Sequence, residues 1–169
     1  MDANYYIEQL RLSPHPEGGY YQEVFRSDLS IKGEALPNTH AGHTTGRSMS
    51  TSIYFLLPEG ERSHFHRLQS DEIWYYHAGG PTQVYIIYPD GNLSTLIIGP
   101  ELSAGQHLQV VMPANTWFAA TPLAGADFTL VGCMVAPGFD FADFELAQVD
   151  ALLQTYPLHQ DLINKFCLI

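Results

Sequence analysis

Residues 63–79 read Ser63-His64-Phe65-His66-Arg67-Leu68-Gln69-Ser70-Asp71-Glu72-Ile73-Trp74-Tyr75-Tyr76-His77-Ala78-Gly79. In an extended chain successive side chains alternate faces, so His64 and His66 point the same way. A turn near Gln69-Ser70 predicts a hairpin, with Glu72, Trp74 and Tyr76 sharing one face of its second strand. Two imidazoles and a carboxylate converging on one face suit a divalent metal or proton transfer. His-x-His alone reads better as two solvated histidines on an exposed strand. The glutamate and the glycine that follow at these spacings favour a site.

Outward from this stretch, the chain is a series of short strands separated by turns. The composition predicts strands over Tyr20 to Arg26, Thr51 to Leu57, Arg62 to Leu68, Asp71 to His77, Thr82 to Tyr88, Leu93 to Ile98, Gln106 to Met112, Thr116 to Ala120 and Asp127 to Val135. Pro89-Asp90-Gly91-Asn92 is a strong hairpin signal. Many strands at regular spacing predict an antiparallel sandwich or barrel. Helices are expected only at the ends: Asn4 to Leu12, stopped by Pro14 and Pro16, then Phe141 to Ala147, Asp150 to Tyr156 with Asp150 as N-cap, and Leu158 to Phe166. Residues 27–47 read as a long polar loop, in which His40 and His43 are expected to be solvated. In the strand Tyr20 to Arg26, Glu23 lies between aromatics on one face, as a pocket or edge residue.

The 169 residues are most simply one domain, with a barrel core over about 20–136 and helices over about 140–166. Hydrophobic residues make up 46% and charged residues 15%, a globular balance. Eighteen acidic against seven basic residues give a net charge of -11, which argues against nucleic acid or an anionic membrane as partner. Cys133 sits in an apolar run and reads as a small core residue, and the two cysteines make no disulfide framework. The N-terminus has no signal-peptide pattern and no apolar run is long enough to span a bilayer, so a cytoplasmic setting is expected.

The central stretch resembles the first cupin motif, with His64, His66, Glu72 and Gly79 in order. Five residues, rather than three or four, separate His66 from Glu72. In the second motif Asn115 replaces a glycine, a change the left-handed turn tolerates. Phe118 stands where that motif has its histidine ligand. Further stretches extend the resemblance to the Cupin-5 family. They are Pro14-His15-Pro16-Glu17-Gly18-Gly19 with Glu23 and Arg26, then Phe65-His66-Arg67, Ser70-Asp71-Glu72 and Trp74, then Pro113-Ala114 with Trp117, and finally Pro137-Gly138-Phe139-Asp140-Phe141, Asp143-Phe144 and Glu145. The resemblance implies a mainly β, double-stranded β-helix, a jelly-roll cupin barrel with short flanking helices, commonly homodimeric and similar in fold to deoxysugar 3,5-epimerases.

Three functions follow as expectations. The first is a metal-free small-molecule site inside the barrel, isomerase- or epimerase-like on a sugar or other small polar substrate. His66 would be the base, Glu72 its hydrogen-bonded partner and a tyrosine the acid. Trp74, Tyr76, Phe118, Glu23, Trp117 and Arg67 would contact the ligand, although alternation sets Arg67 opposite His66. The second is a metal-dependent oxygenase or isomerase, holding a divalent metal on His64, His66 and Glu72. The third is a non-catalytic binding module. No tightly bound metal cofactor is expected, because Phe118 offers no ligand and the His66-to-Glu72 spacing is long. A homodimer is expected through the strand Tyr20 to Arg26.

Overall fold

The structure, a computed structural model, describes residues 1–37, 40 and 45–168. Its strands are β1 (Ser13–Pro14), β2 (Tyr20–Arg26), β3 (Ser30–Ile31), β4 (Arg47–Ser48), β5 (Thr51–Pro58), β6 (Ser63–Leu68), β7 (Asp71–Gly79), β8 (Thr82–Ile87), β9 (Leu93–Ile98), β10 (Gln109–Met112), β11 (Trp117–Pro122), β12 (Phe128–Ala136) and β13 (Phe144–Leu146). Helices lie near the ends, α1 at Ala3–Gln9, α2 at Val149–Thr155 and α3 at Gln160–Phe166. Two antiparallel sheets face one another, ordered β1-β2-β5-β12-β7-β10 and β13-β6-β11-β8-β9. This is the expected mainly β jelly roll.

Alternation explains why each sheet is covered on both faces. On β5, Phe55 and Leu57 point into the core between the sheets, whereas Leu56 points out. The outward face of that sheet carries Leu56, Phe128 and Leu130, which α1 covers with Tyr6 and Ile7. On the other sheet Phe65, Ile87, Trp117 and Ala119 face outward, under Leu152, Ile163 and Phe166 of the C-terminal helices. The core between the sheets is built from Phe55, Trp74, Ile86, Val110, Met112, Phe118 and Val131, among others.

Three expectations about the elements are corrected. β6 and β7 are not a hairpin: they lie in different sheets, and Gln69-Ser70 is the corner between them. Their inner faces therefore oppose each other across the barrel. The segment Phe141 to Ala147 is not a helix. One 3-10 turn (Phe141–Asp143), capped by the Asp140 carboxylate on the Ala142 N–H, leads into β13, which pairs with β6. Edge pairing outweighs local helix preference here. Asp150 lies inside the first turn of α2, and Gln148 occupies the N-cap position.

The 27–47 stretch contains a short ladder, Ser30↔Ser48 and Ile31↔Arg47. His40 is buried rather than solvated, its Nε2 3.2 Å from Ser70 Oγ and 3.6 Å from Asp143 Oδ2. The polar composition of the loop concealed this, because its ionic partner lies about a hundred residues away. His43 falls outside the described residues. Asn115 takes the left-handed conformation expected of it, with φ 62°.

Candidate functional site

One end of the space between the sheets is a cavity of about 310 Å³, lined from β2, β5, β6, β7 and β12 and from the two segments 15–17 and 139–144. Its walls are largely aromatic: Tyr21, Phe55, Trp74, Phe139, Phe141 and Phe144. Its polar groups are His15, Glu17, His66 and Glu72 inside, with Glu23, Arg26 and Asp140.

Glu17 reaches this space because of the glycine that follows it. Gly18 has φ +106°, and a Cβ there would stand 2.2 Å from the Arg62 carbonyl oxygen. Only glycine lets the 15–19 turn lie flush against the start of β6. The Glu17 carbonyl then accepts the His64 backbone N–H (2.8 Å) and lies 2.7 Å from His64 Nδ1. The Glu17 carboxylate accepts the Ser63 hydroxyl at 2.8 Å, and its other oxygen lies 3.2 Å from His66 Nε2.

These contacts define how protons are held. His66 Nδ1 lies 2.7 Å from the His64 carbonyl oxygen, which can only accept, so Nδ1 carries the ring proton. His66 Nε2 is then the acceptor in the neutral ring, and it faces Glu17. The shared proton belongs to Glu17, because burial opposes charge on either partner. Burial pushes the Glu17 carboxyl well above its usual range, and the Glu72 charge adds to this against the Ser63 hydrogen bond. Burial also lowers His66 to about 3, more than the His64 carbonyl raises it. His15 accepts the Glu17 N–H on Nδ1 at 3.3 Å and is lowered by burial to about 4.

Glu72 is fixed separately. Its Oε1 accepts the Trp74 indole N–H at 2.9 Å, and the Cys133 thiol donates to the same carboxylate. Burial outweighs both donors and raises Glu72 to about 7. Burial raises Cys133 well above its usual value, so it remains a thiol donor. Between them, Glu17 and Glu72 are two carboxyls held above the usual range in one largely apolar cavity. Carboxyls raised in this way can hold a proton under conditions in which an ordinary carboxylate is ionised.

Of the residues singled out from sequence, His66, Glu72, Trp74 and Glu23 line this cavity. His66 is paired with Glu17 rather than with Glu72. Tyr76 is half-buried against the core, its hydroxyl donating to the Gly79 carbonyl at 2.5 Å. Phe118 is buried behind His66, ring centroids 4.0 Å apart, and is not part of the lining. Trp117 and Arg67 lie on the outer face, the guanidinium stacked 4.5 Å over the indole and paired with Glu145. Glu17, His15 and the Phe139–Phe144 wall were not named as site residues from periodicity. They sit on turns, where alternation carries no information, and their signal lay only in the N- and C-terminal signature stretches.

The metal set suggested by the sequence does not form. Glu17 stands in front of His66 Nε2, His64 Nδ1 is engaged with the Glu17 backbone, and Phe118 brings no donor atom. Among the described residues no three His, Cys, Asp or Glu side chains are grouped to hold a metal ion. His64, His66 and Glu72 are therefore not assembled as a three-ligand set.

Two facing antiparallel sheets with a cavity at one end define a cupin-type jelly roll. A match to Cupin-5, described as "Cupin superfamily (DUF985)", spans residues 4–147, and the chain belongs to that family. An uncharacterised protein of Saccharomyces cerevisiae is 33% identical over 143 residues, 81% of this chain and 71% of the yeast protein. Among solved structures, a hypothetical protein from Leishmania major superposes with a TM-score of 0.90 at 34% identity, covering 100% of both chains. A Shewanella oneidensis protein gives 0.86 at 41% identity, covering 99% of this chain and 98% of its own. Oxalate decarboxylase from Bacillus subtilis shares the fold alone, with a TM-score of 0.54 at 13% identity over 90% of this chain and 36% of that one.

Proposed function

We propose that the cavity is a metal-free small-molecule site that moves a proton on a small polar substrate bearing a carbonyl, in the manner of an isomerase or epimerase. The observation that carries this reading is the Glu17–His66 pair facing the same cavity as Glu72. Above neutral pH Glu72 is ionised and serves as the base that takes a proton from the carbon beside the carbonyl. The proton shared by Glu17 and His66 goes to the carbonyl oxygen as the enol forms, and both return as the product forms. His66 thus acts with Glu17, Trp74 orients Glu72 through its indole N–H, and Tyr21 and Phe55 wall the substrate.

The test is proton NMR in D2O with a panel of small ketoses and deoxyketoses, alongside elemental analysis of the purified protein. Deuterium entering beside the carbonyl, and lost in Glu72→Gln and Glu17→Gln, is the expected result. Tight binding without exchange would replace the enzyme by a binding module. Stoichiometric metal that disappears in His66→Ala would restore the metal-dependent reading.

We also propose a homodimer built on β2. β1 covers only Tyr20 and Tyr21 of that strand, and beyond them Val24 and Phe25 are about half exposed. An open edge with apolar side chains is suited to a second copy of the chain. Sedimentation at micromolar concentration distinguishes dimer from monomer.

A further inference from the structure

We propose that the small carbonyl compound this cavity takes also carries a positive charge, an amine or quaternary ammonium group. The inference rests on the cavity being the ligand site and names the charge its ligand carries.

Charge balance is the first ground. The cavity is lined by four carboxyl side chains, Glu17, Glu23, Glu72 and Asp140, and Arg26 supplies the one permanent positive charge among the described lining residues. That guanidinium is already engaged. Its Nε and Nη2 donate to Glu23 at 3.0 and 2.7 Å, and its Nη1 donates to the Phe139 carbonyl at 3.1 Å. The two histidines are held neutral by burial and by the hydrogen bonds described above. An anionic ligand would enter a largely apolar space whose one guanidinium is already engaged, beside carboxyls it repels. A cation would meet Glu72, which accepts one indole N–H and one thiol from the described residues.

The walls are the second ground. Trp74, Phe55, Tyr21, Phe139, Phe141 and Phe144 surround the carboxyls with aromatic surface. Aromatic faces beside a carboxylate attract ammonium groups through the ring quadrupole and strip little hydration from a quaternary one. A volume of about 310 Å³ suits a ligand of modest size. The chain's net charge of -11 draws cations toward the surface from which the cavity opens.

Three probes of nearly one shape and three charges provide the test: choline, 3,3-dimethylbutan-1-ol and 3,3-dimethylbutanoate. Each is titrated into the full chain at pH 7.5 and low salt. The readout is the indole N–H resonance of Trp74, distinguished from that of Trp117 by the Trp117→Phe variant. Choline is expected to shift the Trp74 signal and to bind about tenfold or more tighter than the alcohol, with the butanoate weakest. Glu72→Gln is expected to remove that preference while leaving the alcohol's affinity in place. Equal or tighter binding of the alcohol, tightest binding of the butanoate, or no response to any of the three overturns the proposal. If a ketose from the exchange panel moves Trp74 while choline does not, the charge inference falls and the cavity stands as the site. If choline binds without moving Trp74 and without regard to Glu72→Gln, the cavity reading falls with it.

Discussion

Replacing Glu72 by Gln should stabilise the protein, and increasingly so as pH rises. Glu72 is 7% exposed, and burial raises its carboxyl from 4.5 to about 7. The folded protein therefore keeps a proton that the unfolded chain releases between those two values. Stability from this group is fully present below pH 4.5 and is lost as pH climbs to about 7. At about 1.4 kcal/mol per tenfold change in proton affinity, the loss comes to roughly 3 kcal/mol. Glutamine retains an oxygen for the Trp74 indole and has no proton to lose. The two buried histidines act in the opposite sense, adding stability as pH rises from their lowered values of about 4 and about 3 toward 6.5. They are shifted chiefly by burial in parent and variant alike, so the difference between the two proteins reports Glu72 together with the smaller part of the Glu17 shift that the Glu72 charge causes. Urea unfolding followed by tryptophan fluorescence at pH 4.5, 6.5 and 8 measures it. The variant's advantage should grow by roughly 3 kcal/mol from the lowest pH to the highest. A difference that stays flat across this range refutes the reasoning, because it would mean that Glu72 ionises in the folded protein as it does in water.

Two further substitutions test how the site is held. Arg47 and Asp143 form a paired, buried contact, 2.6 Å at each oxygen with side chains 2% and 4% exposed. Asp143→Asn should cost about 3–5 kcal/mol and lower the melting temperature by on the order of 10 °C in calorimetry, whereas a drop of only a degree or two contradicts that account. Gly18→Ala should lower stability by at least about 2 kcal/mol in urea and disturb the Trp74 environment, since the added methyl meets the Arg62 carbonyl at 2.2 Å with φ +106°. An unchanged unfolding midpoint would show that the 15–19 turn is not held against β6.

The fold was legible because its signals are local. Alternation on β5 and β6 sorts Phe55 from Leu56 and His66 from Phe65, and Pro-Asp-Gly-Asn at 89–92 marks the β8–β9 turn where it occurs. Other features were hidden for physical reasons. Whether Gln69-Ser70 closes a hairpin or crosses between sheets depends on which strands pair, and that is decided by partners such as β11 and β12 far along the chain. Half the site was visible for the same reason: His66, Glu72 and Trp74 lie on strands, where direction follows from position. Glu17 lies on a turn whose course is set by a tertiary contact of Gly18, and the helical look of 141–147 gave way to pairing with β6. His40 shows the same limit, since a polar loop gives no sign that Asp143 waits beneath it.

The central claim is that Glu17 and His66 share one proton in a largely apolar cavity, with His66 neutral and protonated on Nδ1. The most direct measurement is the nitrogen-15 NMR spectrum of the His66 ring, assigned with a His66→Gln variant and followed from pH 5 to 8. The account predicts a neutral ring throughout, Nδ1 bearing the proton and Nε2 showing the shift of a hydrogen-bond acceptor, because burial lowers this histidine to about 3. A ring that gains a second proton on passing from pH 8 to pH 6, or that carries its proton on Nε2, would contradict it.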